Sequence, residues 1–152
     1  MELHSDFIDF IGLMVKHEVE FVIVGAHALG FYGLPRATGV FDFWNRTTEE
    51  NAEKILTVIN DYFGTTMGLN IKDILDEETI QFGVQPVRVD LIKNLTGISN
   101  EDLWDTRVAG NFADFNLYFI NRDLFIKNKK ATGRHKDLAD ANILLDYEKN
   151  NK

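Results

Sequence analysis

The chain has 152 residues, 45% of them hydrophobic and 12% aromatic, so it can bury the core of one domain. A formal net charge of −8 excludes an extended surface for nucleic acids, because clustered Lys and Arg hold phosphate backbones. With no Cys, no basic leader and no apolar run of the ~18 residues that a membrane span needs, the sequence predicts a cytoplasmic protein without membrane contact. We expect a single domain over residues 1–147 and a frayed tail at 148–152.

The first predicted elements are a helix, a buried strand and a second, short helix. Apolar residues recur at helical spacing in Ser5–Lys16, and the continuous apolar run Phe21–Val24 is typical of a strand buried on both faces. Gly25 ends this strand and opens a helix through Phe31. Backbone N–H groups at such a turn point at one spot, so Gly25 and Ala26 are candidates for contacting a phosphate.

An acidic residue interrupts the next predicted strand. Residues 34–39, which include Pro35, form a predicted loop, and Val40–Asn45 follow as a strand. Alternation along this strand places Asp42 on the face opposite to its two Phe residues. Because a carboxylate inside an apolar strand is costly unless it has partners, Asp42 is a candidate functional residue.

A second acidic residue lies in a later strand. Residues 79–84 and 87–92 are predicted strands, and alternation in the second places Arg88 and Asp90 on the same face. Each acid either serves a metal or nucleotide, or is held by hydrogen bonds from Lys, Arg or the backbone. The other predicted elements are helices at 47–63, 100–108, 121–130 and 136–147, a helical turn at 71–75 and a strand at 112–120.

Basic residues are concentrated in one short stretch near the C-terminal end. Five fall within ten positions: Lys127, Lys129, Lys130, Arg134 and Lys136. Such a run is either a solvated helix face or the complement of an anion. Asp137 and Asp140 offer a third interpretation, in which they hold the bases in local ion pairs. We favour contact with phosphate, because an acidic protein that keeps five bases together needs an anionic neighbour.

Five segments carry a resemblance to a known family: VGAHAL, LPRATGVFDFW, TEENAEKI, VRVDLI and NKKATGRHKDLAD. In order and spacing they resemble the small nucleotidyltransferase-fold proteins, and in particular the group that includes the AbiE-type toxin nucleotidyltransferases. The resemblance covers residues 19–145. It implies an α+β fold in which a mixed β-sheet is flanked by helices.

The resemblance also implies an activity and a set of functional residues. The family transfers a nucleoside monophosphate from an NTP to a hydroxyl acceptor, using Mg²⁺ held by acids on adjacent strands, which suits the preference of Mg²⁺ for carboxylate oxygens. Asp42 and Asp90 match two of these acids, as catalytic residues and metal ligands. The residues implied in binding the nucleotide phosphates are Gly25, Ala26, Arg36, Thr38, Lys129, Arg134 and Lys136.

One position departs from the family pattern. Val40 stands where the first acid of an Asp-x-Asp pair is expected, and alternation places it on the face of Asp42. A valine side chain cannot ligate a metal, so the Mg²⁺ site is predicted to be weakened or lost. The alternative function is a catalytically inactive relative that binds a nucleotide or a protein partner, such as one component of a toxin–antitoxin pair. Two further hypotheses stay open: another acid takes the place of the missing one, or the chain has changed from an active parent.

Overall fold

The computed structural model describes residues 5–36 and 38–150, with side chains through residue 146. The helices are α1 (Ser5–Lys16), α2 (Gly25–Phe31), α3 (Glu49–Phe63), α4 (Ile71–Asp76), α5 (Asn100–Asp105), α6 (Arg122–Thr132) and α7 (His135–Asn150). The strands are β1 (Phe21–Val24), β2 (Val40–Asn45), β3 (Thr79–Val84), β4 (Val87–Ile92), β5 (Val108–Phe112) and β6 (Phe115–Phe119). None of the helices in this part of the chain is long and apolar enough to cross a membrane.

The six strands form one mixed sheet in the order β3-β4-β2-β1-β6-β5. Strand β2 pairs antiparallel with β1 and parallel with β4, and β1 also pairs parallel with β6. In the β2–β4 pair Val40 lies beside Arg88, and Asp42 lies beside Asp90. The predicted α+β architecture is confirmed, and it brings the two strand acids together.

The two faces of the sheet are covered by different helices. Phe41 and Phe43 lie in a buried cluster with residues of α1 and α3, including Phe10 and Ile55. Trp44 lies in a second cluster with residues of α2, α6 and α7. The alternation predicted for β2 is therefore confirmed, because helices on both sides bury the apolar residues of each face.

A hairpin near residue 113 differs from the prediction. The predicted helix 100–108 ends at Asp105, and the predicted strand 112–120 is the second strand of the β5–β6 hairpin. Strand β5 contains Ala, Gly and Asn, which have low strand propensity. Its turn residues Ala113 and Asp114 both have positive φ, 51° and 66°, without the Asn-Gly signal typical of such turns. The residues of β5 and its turn thus carry little local signal for a hairpin.

Two C-terminal features also extend beyond their predicted bounds. Helix α6 continues from the predicted residue 130 to Thr132 before Gly133 ends it with φ 71°. The backbone of α7 is helical through Asn150, within the predicted frayed tail, whose last two residues, 151–152, lie outside the described part. The turn between these helices positions most of the basic stretch beside the strand acids.

Candidate functional site

The turn from β1 into α2 brings the backbone against Asp42. Gly25 has a φ of 70°, which L side chains rarely adopt, and a Cβ atom placed there would lie 2.9 Å from Cγ of Asp42. Glycine is therefore needed both for the left-handed backbone and for the close approach of the carboxyl group. His27, on the same helix, is a packed residue, since it is buried and stacks on Phe41 with ring centroids 4.1 Å apart.

Asp42 and Asp90 form a pair of neighbouring carboxyl groups. Asp90 is 6% exposed, while Asp42 is partly exposed. Burial and the charge of Asp90 raise the pKa of Asp42 to about 6, against the opposing influence of Arg88 and Lys129. Burial and a neighbouring like charge both disfavour ionisation, so Asp42 takes up a proton near pH 6.

Arg88 is a site residue that the family resemblance did not identify. Its Nε and Nη2 atoms donate hydrogen bonds to Oδ1 and Oδ2 of Asp90, each at 3.0 Å. This bidentate pair engages both carboxylate oxygens of Asp90. The interpretation in which a strand acid is held by hydrogen bonds from Arg therefore describes Asp90. The signal was in the sequence, because residues two apart on a strand share a face.

Asp140 on α7 anchors two of the predicted phosphate-binding bases. Arg36 donates to it through Nη2 at 2.7 Å and Nη1 at 3.2 Å, and Nζ of Lys129 lies 3.1 Å from its Oδ2 atom. Burial alone would raise the pKa of Asp140, but the hydrogen bonds from Arg36 and Lys129 lower it below its ordinary value. This contact joins the loop before β2 to both C-terminal helices.

Asp137 makes a parallel set of contacts one turn earlier on α7. It accepts hydrogen bonds from Lys129 at 3.3 Å, from Thr132 at 2.7 Å and from Nε of Arg134 at 2.7 Å. Burial acts to raise the pKa of Asp137, but these donors lower it overall. The interpretation as local ion pairs is therefore correct for Lys129 and Arg134. Lys136 is exposed and forms no ion pair within the described residues.

These elements surround a cavity of about 470 Å³, which we call the cleft. Its lining residues are Gly25, Ala26, Leu29, Arg36, Thr38, Val40, Asp42, Arg88, Lys129, Arg134, Lys136, Asp137 and Asp140. All the residues predicted from the resemblance line the cleft except Asp90, which is buried and paired with the lining residue Arg88. The lining carries five basic side chains against three carboxylates, and the buried Asp90, paired with Arg88, adds a fourth carboxylate, so the net charge is +1 when all are ionised.

The side chains of the cleft do not fit a two-ion metal site. In the described part of the chain, no group of three or more His, Asp or Glu side chains is placed to hold a metal. Val40 presents methyl groups to the cleft beside Asp42, and both oxygens of Asp90 accept hydrogen bonds from Arg88. A site for two Mg²⁺ ions needs shared carboxylate oxygens that these residues do not offer.

The raised pKa of Asp42 predicts an unusual pH dependence of stability. Because the folded-state pKa, about 6, exceeds the ordinary 3.8, the folded protein loses stability as pH rises through this interval. Two pKa units correspond to ~3 kcal/mol, so an Asp42→Asn variant should be ~2 kcal/mol more stable than the parent at pH 7.5 after allowance for partial exposure. The gain should disappear near pH 4, as measured by urea unfolding. An equal gain at both pH values would contradict the assignment.

Comparison with known proteins supports the fold. No protein-family model and no curated protein sequence matches the chain. The structure is similar to the crystal structure of a putative nucleotidyltransferase from Thermotoga maritima, with a TM-score of 0.57 and 10% sequence identity. The match covers 95% of this chain and 96% of that chain. At this identity the likeness concerns the fold, and the chain accordingly has a nucleotidyltransferase fold.

Proposed function

We propose that this protein binds a nucleoside triphosphate, with the phosphates in the cleft. The observation that carries the proposal is the excess of basic side chains at the cleft, which leaves a net charge of +1 even when the buried Asp90 is counted, in a chain whose formal net charge is −8. An excess of basic side chains in a cleft attracts anions, and a triphosphate is a highly charged anion. The nucleotidyltransferase fold supports the inference that this triphosphate is part of a nucleotide.

Two of the lining bases are the best placed to contact phosphate. Arg36 and Lys129 are already engaged by Asp140, but the side chain of Arg134 is 76% exposed and donates to Asp137 through Nε alone. Lys136 is exposed at the same rim of the cleft. The free N–H groups of Arg134 and Lys136 can donate charge-assisted hydrogen bonds to phosphate oxygens.

A second candidate function is Mg²⁺-dependent transfer of a nucleoside monophosphate from an NTP to a hydroxyl acceptor. The position of Asp42 beside Asp90 favours it, because carboxylates on adjacent strands are typical of such sites. Val40 and the Arg88–Asp90 pair favour binding without transfer. We therefore propose that the chain binds nucleotide with little or no transfer activity. A chain without transfer activity could instead act by binding a protein partner, such as the other component of a toxin–antitoxin pair, and we include this in the proposal.

Nucleotide binding can be tested with a matched pair of lysine variants. ATP, GTP, CTP and UTP should each be titrated while thermal unfolding is followed, with and without Mg²⁺; at 100 times its Kd a ligand adds ~2.7 kcal/mol. Lys136→Gln should weaken binding by about 3- to 10-fold, since it removes one charge from the rim. Lys130→Gln, an exposed α6 residue outside the cleft lining, should leave binding unchanged. The proposal fails if none of the four nucleotides shifts the unfolding temperature under either condition.

A further inference from the structure

Arg88 lines the cleft and is paired with the buried Asp90. Its side chain is 32% exposed, and it forms a bidentate pair with Asp90, whose side chain is 8% exposed. The fork uses two of the five N–H donors of a guanidinium group. Three donors are therefore left on a residue that faces the cleft.

The side chain of Arg88 supplies a fixed positive charge next to Asp90. Val40 is its partner in the β2–β4 register, so the residue directly beside Arg88 is apolar, and the charge of Asp42, two residues further along β2, adds to the attraction from Asp90. An Arg side chain stays protonated at any pH at which the protein is folded. The charge that a divalent ion would supply next to Asp90 is thus supplied by a side chain of the chain itself.

We propose that the cleft binds its triphosphate ligand as the metal-free polyanion, with Arg88 in place of a divalent cation. The inference rests on the proposed nucleotide binding and names the form of the ligand. Both carboxylate oxygens of Asp90 accept hydrogen bonds from Arg88, so a divalent ion could bind Asp90 only by displacing Arg88. A free triphosphate also carries two more negative charges than its Mg²⁺ complex, and the cleft lining is positive. Mg²⁺ should therefore weaken binding by competing for the phosphate oxygens.

The test uses inorganic triphosphate and ATP as probes, measured by isothermal titration calorimetry with the full chain. One series contains EDTA and the other contains excess MgCl₂, with NaCl adjusted to equal ionic strength because screening alone changes such affinities. In the parent protein we expect binding in EDTA to be at least about 3-fold tighter than with Mg²⁺. Mn²⁺ alone should not bind.

Two arginine variants make the test specific. Arg88→Gln should weaken binding in EDTA by at least about 10-fold, because it removes a charged donor group from the cleft. Arg46→Gln is the control, since Arg46 also pairs with a carboxylate, Glu20 at 2.8 Å, but lies outside the cleft lining. Arg88→Lys keeps the charge and should retain part of the affinity, which covers the case in which Arg88→Gln does not fold.

The outcomes separate the two proposals. Two results would overturn the metal-free inference and leave nucleotide binding in place: triphosphate binding that requires Mg²⁺, or binding of Mn²⁺ to the parent protein in the absence of triphosphate. Binding in EDTA that survives Arg88→Gln unchanged would also overturn it. An absence of binding by both probes in both series would remove the proposed function and the inference together.

Discussion

Asp140→Asn should destabilise the protein by ~3 kcal/mol at pH 7, because it breaks a buried ion network and leaves cations without a counter-charge. The side chain of Asp140 is 4% exposed and that of Lys129 is 10% exposed. Asparagine keeps the size of the side chain but removes the charge that faces Arg36 and Lys129. The loop before β2 should then lose its anchor on α7.

Urea unfolding of the parent and of two variants on the same helix measures this effect. Asp146→Asn makes the same chemical change at an exposed position of α7 and should alter stability by less than ~0.5 kcal/mol. Because the pKa of Asp140 is lowered in the folded state, its contribution is present above the ordinary 3.8 and is lost as pH falls below it. The difference between parent and Asp140→Asn should therefore shrink at acid pH. A cost below ~1 kcal/mol at pH 7 would contradict the network.

Val40→Asp should create a divalent-metal site in the cleft. Residue 40 lies beside Arg88 in the sheet and lines the cleft with Asp42, so the new carboxylate would compete with Asp90 for the guanidinium group. The new carboxylate, Asp42 and Asp90 would then lie close together on the adjacent strands β2 and β4. Because electrostatic stabilisation is a major part of catalysis, the rate at which Val40→Asp transfers a labelled nucleoside monophosphate from an NTP should exceed that of the parent by at least about 100-fold.

Two measurements and one control decide this prediction. Mn²⁺ should raise the unfolding temperature of Val40→Asp and leave that of the parent unchanged, which reports the metal site without relying on an identified acceptor. Val40→Asn is the control, because asparagine has the shape of aspartate without its charge. We expect this variant to gain neither metal binding nor transfer activity. Transfer already present in the parent would show that two acids suffice, contrary to the roles inferred for Val40 and Arg88. A variant that binds no Mn²⁺ would show that the carboxylates do not converge.

Local patterns in the sequence predicted most of the elements and both strand acids. Alternation with a period of two separated Phe41 and Phe43 from Asp42, and the same rule placed Arg88 on the face of Asp90. The β5–β6 hairpin was the main omission, since residues such as Gly110 and Ala113 have neither strand propensity nor a usual turn signal. Four of the five segments that resemble the nucleotidyltransferase fold contribute lining residues to the cleft, whereas TEENAEKI lies almost wholly in α3 and packs on the other face of the sheet.

By itself, the sequence determined most of the elements, the two strands that carry an Asp, the glycine turn and the missing acid at Val40, because each of these depends on residues close along the chain. Only the tertiary structure decided the partners. Asp90 pairs with Arg88, and Asp140 gathers Arg36 from a distant loop together with Lys129 from the preceding helix. Periodicity predicts the face on which a charge lies, but ion pairing also depends on the neighbouring chain segments, the distance and the burial, which the folded arrangement sets.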